Sequence, residues 1–344
     1  MANYFQSLSK CYMIAEIGVN HNGDVGLAKE MIVEAKRAGA DAVKFQTFTA
    51  DALVTKNTPK VQYQKLTTPE EESHYQMIKS LELTKKDFEV LYNYCEDVDV
   101  GFISTPYDIE SAQFLNELGV KMFKIASADI IDIQLHKYIA NTHSPVIVAT
   151  GMATLGEVEA AVNIYEKYDN EHLVLLHCVS NYPCSDASLN LKAIEVMKSA
   201  FGKPVGYSDH SIGNLASVLS IALGAKVIEK HFTLNRELPG PDHKASSTPD
   251  EFCDLVRDVR RAESILGEQR KKRQLEEQQM AEVSRKSIVY NHDLKSGHVL
   301  SEKDLTLMRP GSGLPPAMLS ELIGLKLTKN VLSKQQLKWG EVEE

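Results

Sequence analysis

Two histidines, His210 and His231, each follow a short apolar run in the 344-residue chain. The runs cover residues 204–207 and 226–228, and a helix-like apolar segment joins them. If both runs are parallel strands with a crossover helix between them, the two imidazoles leave the same edge of a sheet. Neutral imidazoles at such an edge can hold a divalent metal ion, but they are also typical of a hydrogen-bonded loop. The pair alone leaves both interpretations open.

Two lysines, Lys44 and Lys124, lie at the ends of other apolar runs, where an unpaired charge is costly. A lysine in such a place is either salt-bridged, here to Glu16 or Asp129, or bound to an anion. Hydroxyl side chains also follow apolar runs, at Thr105, Ser127 and Ser208. Together these residues predict a pocket for a phosphate or carboxylate group.

The elements that position these residues alternate regularly. Eight strand-like runs alternate with eight helical segments over about 265 residues, which predicts parallel strands with right-handed crossovers. This count favours a closed (β/α)8 TIM barrel over an open doubly wound sheet. The open sheet also requires a glycine-rich phosphate loop after the first strand, and Gly18, Gly23 and Gly26 lack its spacing. In the barrel, catalytic groups gather at the carboxyl ends of the strands.

The organisation of the chain follows from composition. Residues 1–267 carry the predicted barrel, and within them the polar stretch 51–83 is too long for a simple connection, which is typical of functional insertions. Residues 268–283 are charged and polar and predict a linker. Residues 284–344 are dense in turn residues and predict a small unit that docks on a barrel, because so short a unit buries only a marginal core.

The composition excludes several classes of protein. A formal net charge of −9 disfavours general nucleic-acid binding, which needs an electropositive face. No run approaches the roughly 18 to 20 apolar residues of a membrane helix, and the N-terminus does not resemble a signal peptide. Five scattered cysteines without CxxC spacing favour reduced thiols and a cytoplasmic location.

Several motifs, in order along nearly the whole chain, resemble the N-acetylneuraminate (sialic acid) synthase family. They are AEIGVNHNG at 15–23, VKFQT at 43–47, KIAS at 124–127, GYSDH at 206–210, IEKHFT at 228–233 and GPDH at 240–243. The tail, from RKS at 285–287 through RPG at 309–311, resembles the antifreeze-protein-like (SAF) domain of that family. The resemblance implies a TIM barrel followed by this small domain.

The resemblance also implies a reaction and a set of site residues. Phosphoenolpyruvate would condense with the open-chain aldehyde of an N-acetylhexosamine, and phosphate would leave by C–O cleavage. His210 and His231 would hold a divalent metal, Mn²⁺ or alternatively Mg²⁺ or Co²⁺, and Asp129 and Glu16 would complete the catalytic set. Phosphoenolpyruvate would be bound by Lys44, Thr105, Lys124, Ser127, Ser208 and Lys286. The sugar would be bound by Gln46, Tyr182, Asp242 and Arg309, the last reaching over from the other subunit of a domain-swapped homodimer.

Two positions depart from the usual pattern of the family. Asp129 is one methylene shorter than the glutamate of most bacterial members, although animal members have aspartate there. Ala149 replaces a serine and so removes one predicted phosphate donor. Neither change removes the two lysines or the histidine pair.

The remaining alternatives differ in the sugar substrate, in the reaction, or in whether the protein is an enzyme. The sequence favours N-acetylmannosamine, with the legionaminic acid precursor 2,4-diacetamido-2,4,6-trideoxymannose as the alternative. A 3-deoxy sugar-acid synthase would not need the C-terminal domain with Arg309. A non-catalytic sugar-binding protein would not need His210, His231, Lys44 and Lys124 together.

Overall fold

A closed parallel barrel forms the larger part of the protein, whose residues 3–69 and 71–344 are described by a computed structural model. Each strand neighbours the next in chain order, and the eighth pairs with the first. The strands are β1 (Tyr12–Gly18), β2 (Ala42–Thr47), β3 (Gly101–Pro106), β4 (Phe123–Ile125), β5 (Val146–Ala149), β6 (Leu173–His177), β7 (Val205–Asp209) and β8 (Val227–His231). The predicted TIM barrel is therefore confirmed.

Helices follow the strands on the outside of the barrel. In chain order, the α-helices are α1 (Val25–Arg37), α2 (Ala50–Leu53), α3 (Gln62–Thr67), α4 (His74–Ser80), α5 (Lys85–Asp97), α6 (Ile109–Leu118), α7 (Ile133–Asn141), α8 (Leu155–Lys167), α9 (Ala193–Phe201), α10 (Leu215–Ala222), α11 (Pro249–Leu266), α12 (Gln278–Ser284) and α13 (Leu319–Leu322). The predicted cap of α5 is present, because Asp87 N donates to Thr84 Oγ1 and Thr84 N donates to Asp87 Oδ2. Within the described ranges, no helix is both long and apolar enough to cross a membrane.

Successive side chains of each strand alternate between two cores. Those facing outward pack against the helices in the main hydrophobic core, as Met13 and Ile228 do. Those facing inward fill the lower part of the barrel with a smaller apolar cluster, whose strand members are Ile14, Ala42, Ile103, Ile147, Val174, Leu176 and Val227, joined by Met122 just before β4. Two residues further along several of these strands, the inward side chains become polar, so that the site lies directly above this apolar layer.

The N-terminal segment closes the floor of the barrel. Phe5, in a short 3-10 helix at Tyr4–Gln6, is fully buried in the inner apolar cluster. Asn3 fixes this segment, because its side-chain amide donates to the carbonyl of Leu173 at 3.0 Å and its Oδ1 accepts from Phe5 N at 2.8 Å. The barrel is therefore filled and covered at the end opposite the site.

The long connection after β2 contains three short helices, α2 to α4, where the sequence indicated only a polar insertion. Lys60, which is 9% exposed, stabilises part of this connection by donating hydrogen bonds to Thr68 Oγ1, to the Pro69 carbonyl and to Glu72 Oε2. Ser73 and Gln76 cap α4 reciprocally. The connection is therefore an ordered part of the fold.

The chain divides into two compact units, Met1–Gly267 and Glu268–Glu344. The second unit begins with an exposed stretch and α12, followed by the paired strands β9 (Ser287–Tyr290) with β10 (Leu305–Met308) and β11 (Lys326–Leu327) with β12 (Val342–Glu343). Its own apolar core includes Ile288, Tyr290, Leu322 and Leu337, all fully buried. A small unit with two short sheets agrees with the expected antifreeze-like domain.

Candidate active site

A cavity of about 650 Å³ opens at the carboxyl ends of the barrel strands. It brings together eleven of the residues that the sequence predicted for the site: Glu16, Lys44, Gln46, Thr105, Lys124, Ser127, Tyr182, Ser208, His210, His231 and Asp242. These residues come from the ends of different strands and from the loops that follow them, which is how a barrel of this kind builds a site.

Two buried ion pairs form the base of the cavity. Lys44 Nζ lies 2.6 Å from Glu16 Oε2 and donates to Thr105 Oγ1 at 3.0 Å. Lys124 Nζ lies 2.9 Å from Glu229 Oε1, so its partner is Glu229 and not Asp129. All four charged side chains are at most 6% exposed. Buried charges of this kind are stable only when each keeps a partner, so an anion entering here competes with carboxylates for the two ammonium groups.

The pKa values of the two carboxylates at the bottom of the cavity are shifted in opposite directions. Burial raises the pKa of Glu16 to about 7, although Lys44 opposes the shift. Burial also disfavours ionised Glu229, but Lys124 and Lys44 outweigh it and lower the pKa of that carboxyl to about 2. Burial lowers the pKa of Lys44 as well, against the attraction of Glu16. Burial therefore weakens the ionised form of the Glu16–Lys44 pair, whereas Glu229 stays ionised near neutral pH.

His210 and His231 lie side by side above this base, with ring centroids 5.7 Å apart. Burial lowers the pKa of both, and His210 contributes to the shift of His231, so both rings are neutral at physiological pH. Nδ1 of His210 lies 2.8 Å from the Val179 carbonyl, so it carries the hydrogen and Nε2 is left as an acceptor. Nδ1 of His231 is buried and has no hydrogen-bond partner among the residues that the structure describes. The pair thus presents neutral imidazole nitrogens to the cavity.

A second buried network, made of an ion pair and hydrogen bonds, lies on the outer side of the barrel and positions the two histidines. Asp209 and Lys230 precede them in sequence and pair at 2.8 Å, at 0% and 4% side-chain exposure. Lys230 also donates to the Ser211 carbonyl, and Asp209 accepts from the hydroxyls of Ser211 and Ser217, both at 2.6 Å. Because Asp209 and Lys230 are register partners on β7 and β8, their bond fixes the distance between the strand ends that carry the histidines.

A narrow polar corner lies beside Lys124. Ser127 Oγ accepts from Gly151 N at 3.0 Å and lies 3.0 Å from Cys178 Sγ. A Cβ atom at Gly151 would come within 2.8 Å of both Ser127 Oγ and Cys178 Sγ, and it would also meet Ser180 Oγ. Only glycine leaves this corner open.

Asp129 lies outside the residues that line the cavity, just after the lining residue Ala128. Burial, with a smaller contribution from Asp132, raises the pKa of Asp129 from 3.8 to about 7. Its Oδ2 atom is buried without a hydrogen-bond partner in the described part of the chain. Asp129 can therefore gain or lose a proton near neutral pH, as a general acid or base must.

Lys286 and Arg309 belong to the second unit and are exposed. Their predicted roles in the site remain predictions.

Two features of the site were missing from the sequence prediction. Glu229 stands at the base although only the histidine two residues later was selected. The long connection after β2 contributes apolar side chains to the cavity, among them Leu53, Met77 and Ile78. For Glu229 the pattern was present in the sequence, because Glu229 shares the inward face of β8 with Val227 and His231.

The fold and the site together define a (β/α)8 enzyme with buried lysines for an anion and a neutral histidine pair. The sequence matches the NeuB family over residues 31–271 and the SAF domain over residues 285–343. It is 44% identical to an N,N'-diacetyllegionaminic acid synthase of Legionella pneumophila, over 97% of this chain and 95% of that protein. It is 43% identical to one of Campylobacter jejuni, over 94% and 97%.

Among solved structures, the N-acetylneuraminic acid (sialic acid) synthetase of Leptospira borgpetersenii is similar, with a TM-score of 0.72 and 38% identity. The match covers 79% of this chain and 90% of that one. The chain belongs to the NeuB family. It is a synthase of the sialic acid type, which condenses phosphoenolpyruvate with a sugar.

Proposed function

We propose that the enzyme condenses phosphoenolpyruvate with the open-chain aldehyde of 2,4-diacetamido-2,4,6-trideoxymannose, giving N,N'-diacetyllegionaminic acid and phosphate. The observation that carries this choice is the identity of 44% and 43%, over nearly the whole chain, to two proteins named for that product. The sialic acid synthetase is less similar, at 38%. The sequence alone favoured N-acetylmannosamine, and the comparisons favour the alternative sugar.

Phosphoenolpyruvate binds at the base of the cavity in this proposal. Lys44 and Lys124 supply the positive charge, and Thr105, Ser127 and Ser208 supply hydroxyl donors. Charge-assisted hydrogen bonds of this kind are about twice as strong as neutral ones. Binding of the anion releases Glu16 from Lys44, and Glu16 then holds a proton more readily because its neighbouring positive charge is shared. Lys286 is assigned to the same substrate from the resemblance alone.

The residues present fit a divalent metal ion at His210 and His231. Both imidazoles are neutral, His210 has its tautomer set by Val179, and the buried Nδ1 of His231 lacks a hydrogen-bond partner within the described ranges of the chain. No group of three metal-ligating side chains occurs in the described part of the chain, so the remaining ligands would be water or substrate oxygens. When bound, the ion, Mn²⁺ by preference, supplies Lewis-acid polarisation of a carbonyl oxygen.

The reaction forms a bond between C3 of phosphoenolpyruvate and the aldehyde carbon, whose oxygen takes up a proton. Water then adds to C2 and loses one proton, leaving a hydroxyl group on C2. The bond between C2 and the phosphate oxygen breaks as this hydroxyl becomes the C2 carbonyl, and its proton leaves with the phosphate. Asp129 is the proposed group that moves these protons, because its carboxyl has a pKa of about 7. Since Asp129 stands behind Ala128 and not in the cavity wall, the transfer requires a water molecule or a closer approach of the substrate.

The sugar lies nearer the mouth in this proposal. Gln46 donates to Glu16 at 3.0 Å, the ring centroid of Tyr182 lies 4.1 Å from that of His210, and Asp242 Oδ2 lies 4.0 Å from Nδ1 of His231. These three side chains therefore face the space above the histidine pair. Arg309, supplied by a second copy of the chain in a domain-swapped homodimer, is proposed to complete the sugar site.

The proposed setting is the cytoplasm. All five cysteines are free and four of them are buried, which suits a reducing compartment.

The test is phosphate release from phosphoenolpyruvate by protein loaded with Mn²⁺, with either sugar as acceptor. We expect turnover with the diacetamido sugar at a kcat/KM at least tenfold above that with N-acetylmannosamine. Chelation should abolish turnover, and added Mn²⁺ should restore it in the native protein but not in a His210→Ala variant. Absence of turnover with both sugars in metal-replete protein would reject the proposal.

A further inference from the structure

One wall of the cavity is apolar. Val19, Phe48, Met77 and Leu81 are buried together in a small cluster that is separate from the barrel cores. Three partly buried side chains pack against the cluster: Leu53, Ile78 and Tyr107. All seven side chains also line the cavity, and five of them belong to the connection after β2. We call these seven residues the apolar wall.

The apolar wall has no part in binding phosphoenolpyruvate, which needs charge and hydroxyl groups. A sugar carrying only hydroxyl groups would also gain little from it, because each hydroxyl placed against such a surface loses hydrogen bonds to water. A substrate that contacts this wall must therefore present methyl groups.

One polar group interrupts the wall. His74, the first residue of α4, lines the cavity, and its Nδ1 is buried without a hydrogen-bond partner among the described residues. Burial lowers the pKa of His74, while a hydrogen bond to the Pro59 carbonyl opposes the shift. The ring is therefore neutral, and the nitrogen facing Pro59 carries its hydrogen. Nδ1 is left as an acceptor, and a buried acceptor without a donor costs about 1–3 kcal/mol.

We infer that the apolar wall and His74 determine which sugar the enzyme accepts. They select a hexosamine that has a methyl group at C6 and a second acylamino group, whose N–H donates to His74 Nδ1 while its acyl methyl packs on the wall. This inference rests on the proposed function and adds the residues that carry its specificity. N-acetylmannosamine places a hydroxyl where the wall offers no partner, and it lacks the second acyl methyl.

Three sugars distinguish the contribution of the apolar wall from that of His74. N-acetylmannosamine and 2-acetamido-2,6-dideoxymannose differ only in the oxygen at C6, and the latter differs from the diacetamido sugar only at C4. We expect the ratio of kcat/KM across the first pair to favour the 6-deoxy sugar by tenfold to about a hundredfold, the range over which apolar pockets reject an added hydroxyl. Ile78→Thr should reduce this ratio, because it places a polar group in the wall.

The ratio across the second pair tests His74. His74→Ala should lower the preference for the acylamino group about tenfold, as expected for one lost hydrogen bond. His74→Gln, which keeps an acceptor, should retain most of it. Lys79→Ala, a change at a 48%-exposed side chain of the same helix that does not line the cavity, is the control. The KM for phosphoenolpyruvate and the thermal unfolding midpoint should stay unchanged in all three variants.

The outcomes distinguish this inference from the function on which it rests. If the native enzyme prefers the diacetamido sugar but His74→Ala leaves both ratios unchanged, the inference is wrong and the proposed substrate stands. If the native enzyme prefers N-acetylmannosamine, both are wrong.

Discussion

Removal of the Lys230 ammonium group should loosen the two strand ends that carry His210 and His231. In Lys230→Met, the side chain keeps its approximate volume, and Asp209 becomes a buried carboxylate without its ion partner. Four hydrogen bonds to Asp209 remain, from Ser211 N, Ser211 Oγ and Ser217 Oγ and, at 3.4 Å, from the Tyr207 hydroxyl. These bonds partly satisfy the carboxylate but carry no positive charge.

The size of the effect follows from burial. The Lys230–Asp209 pair is at most 4% exposed, and breaking one partner of a buried pair costs about 3–5 kcal/mol. The double variant Asp209→Asn/Lys230→Met leaves no buried charge and should be about 2 kcal/mol more stable than the single variant. Lys203→Met is the matched control, because Lys203 pairs with the half-exposed Glu166 and such pairs contribute at most about 1 kcal/mol.

Urea unfolding can be followed separately in the two units. The single tryptophan of the chain, Trp339, lies in the second unit, so its fluorescence reports that unit alone. Far-UV circular dichroism is dominated by the helices of the barrel. Lys230→Met should shift the dichroism transition to lower urea and leave the fluorescence transition in place. Mn²⁺ affinity of the folded protein, measured by electron paramagnetic resonance, should fall at least tenfold in Lys230→Met and stay unchanged in Lys203→Met.

Two results would refute this reasoning. A loss of stability no larger than that of Lys203→Met would mean that the buried pair does not hold the strands together. A large loss of stability with unchanged Mn²⁺ affinity would mean that the pair supports the fold without positioning the histidines.

Three further predictions concern other parts of the molecule. Because burial raises the pKa of Asp129 to about 7, the carboxyl ionises at lower pH in the unfolded chain, and Asp129 should lower the free energy of unfolding by about 1–3 kcal/mol as pH rises from 4 to 7. In urea titrations, the difference in stability between Asp129→Asn and the native protein should change by this amount over that range, while Glu16, whose pKa is also raised, contributes equally to both proteins. Gly151→Ala should raise the KM for phosphoenolpyruvate at least tenfold in the phosphate-release assay, with an unchanged unfolding midpoint, because its Cβ fills the polar corner. In the second unit, burial opposes ionisation of Asp304, but hydrogen bonds from Ser301 and His298 lower its pKa. The stability that the ionised carboxylate provides is therefore present above pH 4 and is lost below it. Asp304→Asn should lower the stability of the second unit by about 1–3 kcal/mol at neutral pH, measured in the Trp339 transition, and leave the barrel transition unchanged.

The barrel could be predicted because its information is local and repeated. Each apolar run with its helix and cap specifies one repeat, as Thr84 and Asp87 do for α5, and the number of repeats then specifies closure. The ends of the strands followed directly, and with them Glu16, Lys44, Lys124 and the histidine pair.

The pairing of the charges could not be predicted in the same way. Lys124 and Glu229 stand on β4 and β8, on opposite sides of the barrel, and only its closure brings them to 2.9 Å. The inward face of each strand was a usable pattern that the prediction did not apply: it separates Ser208 and His210, which face the site, from Asp209, which faces the helices. The period of two along β7 and β8 would also have selected Glu229.

The apolar wall was the hardest part to predict. Leu53 and Met77 lie in helices of four and seven residues, too short to show a helical period, within a stretch that is polar on average. Their common surface exists only after the connection after β2 has folded over the mouth of the barrel.

The floor formed by Phe5 and the inner apolar cluster has a kinetic consequence. It closes the cavity at its lower end, so that substrates and products enter and leave through the same opening. Lys44 and Lys124 lie nearest the floor, and the side chains that we propose bind the sugar, Gln46, Tyr182 and Asp242, lie nearer the entrance. Phosphoenolpyruvate must therefore enter before the sugar, and phosphate must leave after the nine-carbon product. Initial-rate and product-inhibition studies should reveal this compulsory order, with phosphate competing against phosphoenolpyruvate for the free enzyme. Random-order kinetics would show that the cavity admits the anion past a bound sugar.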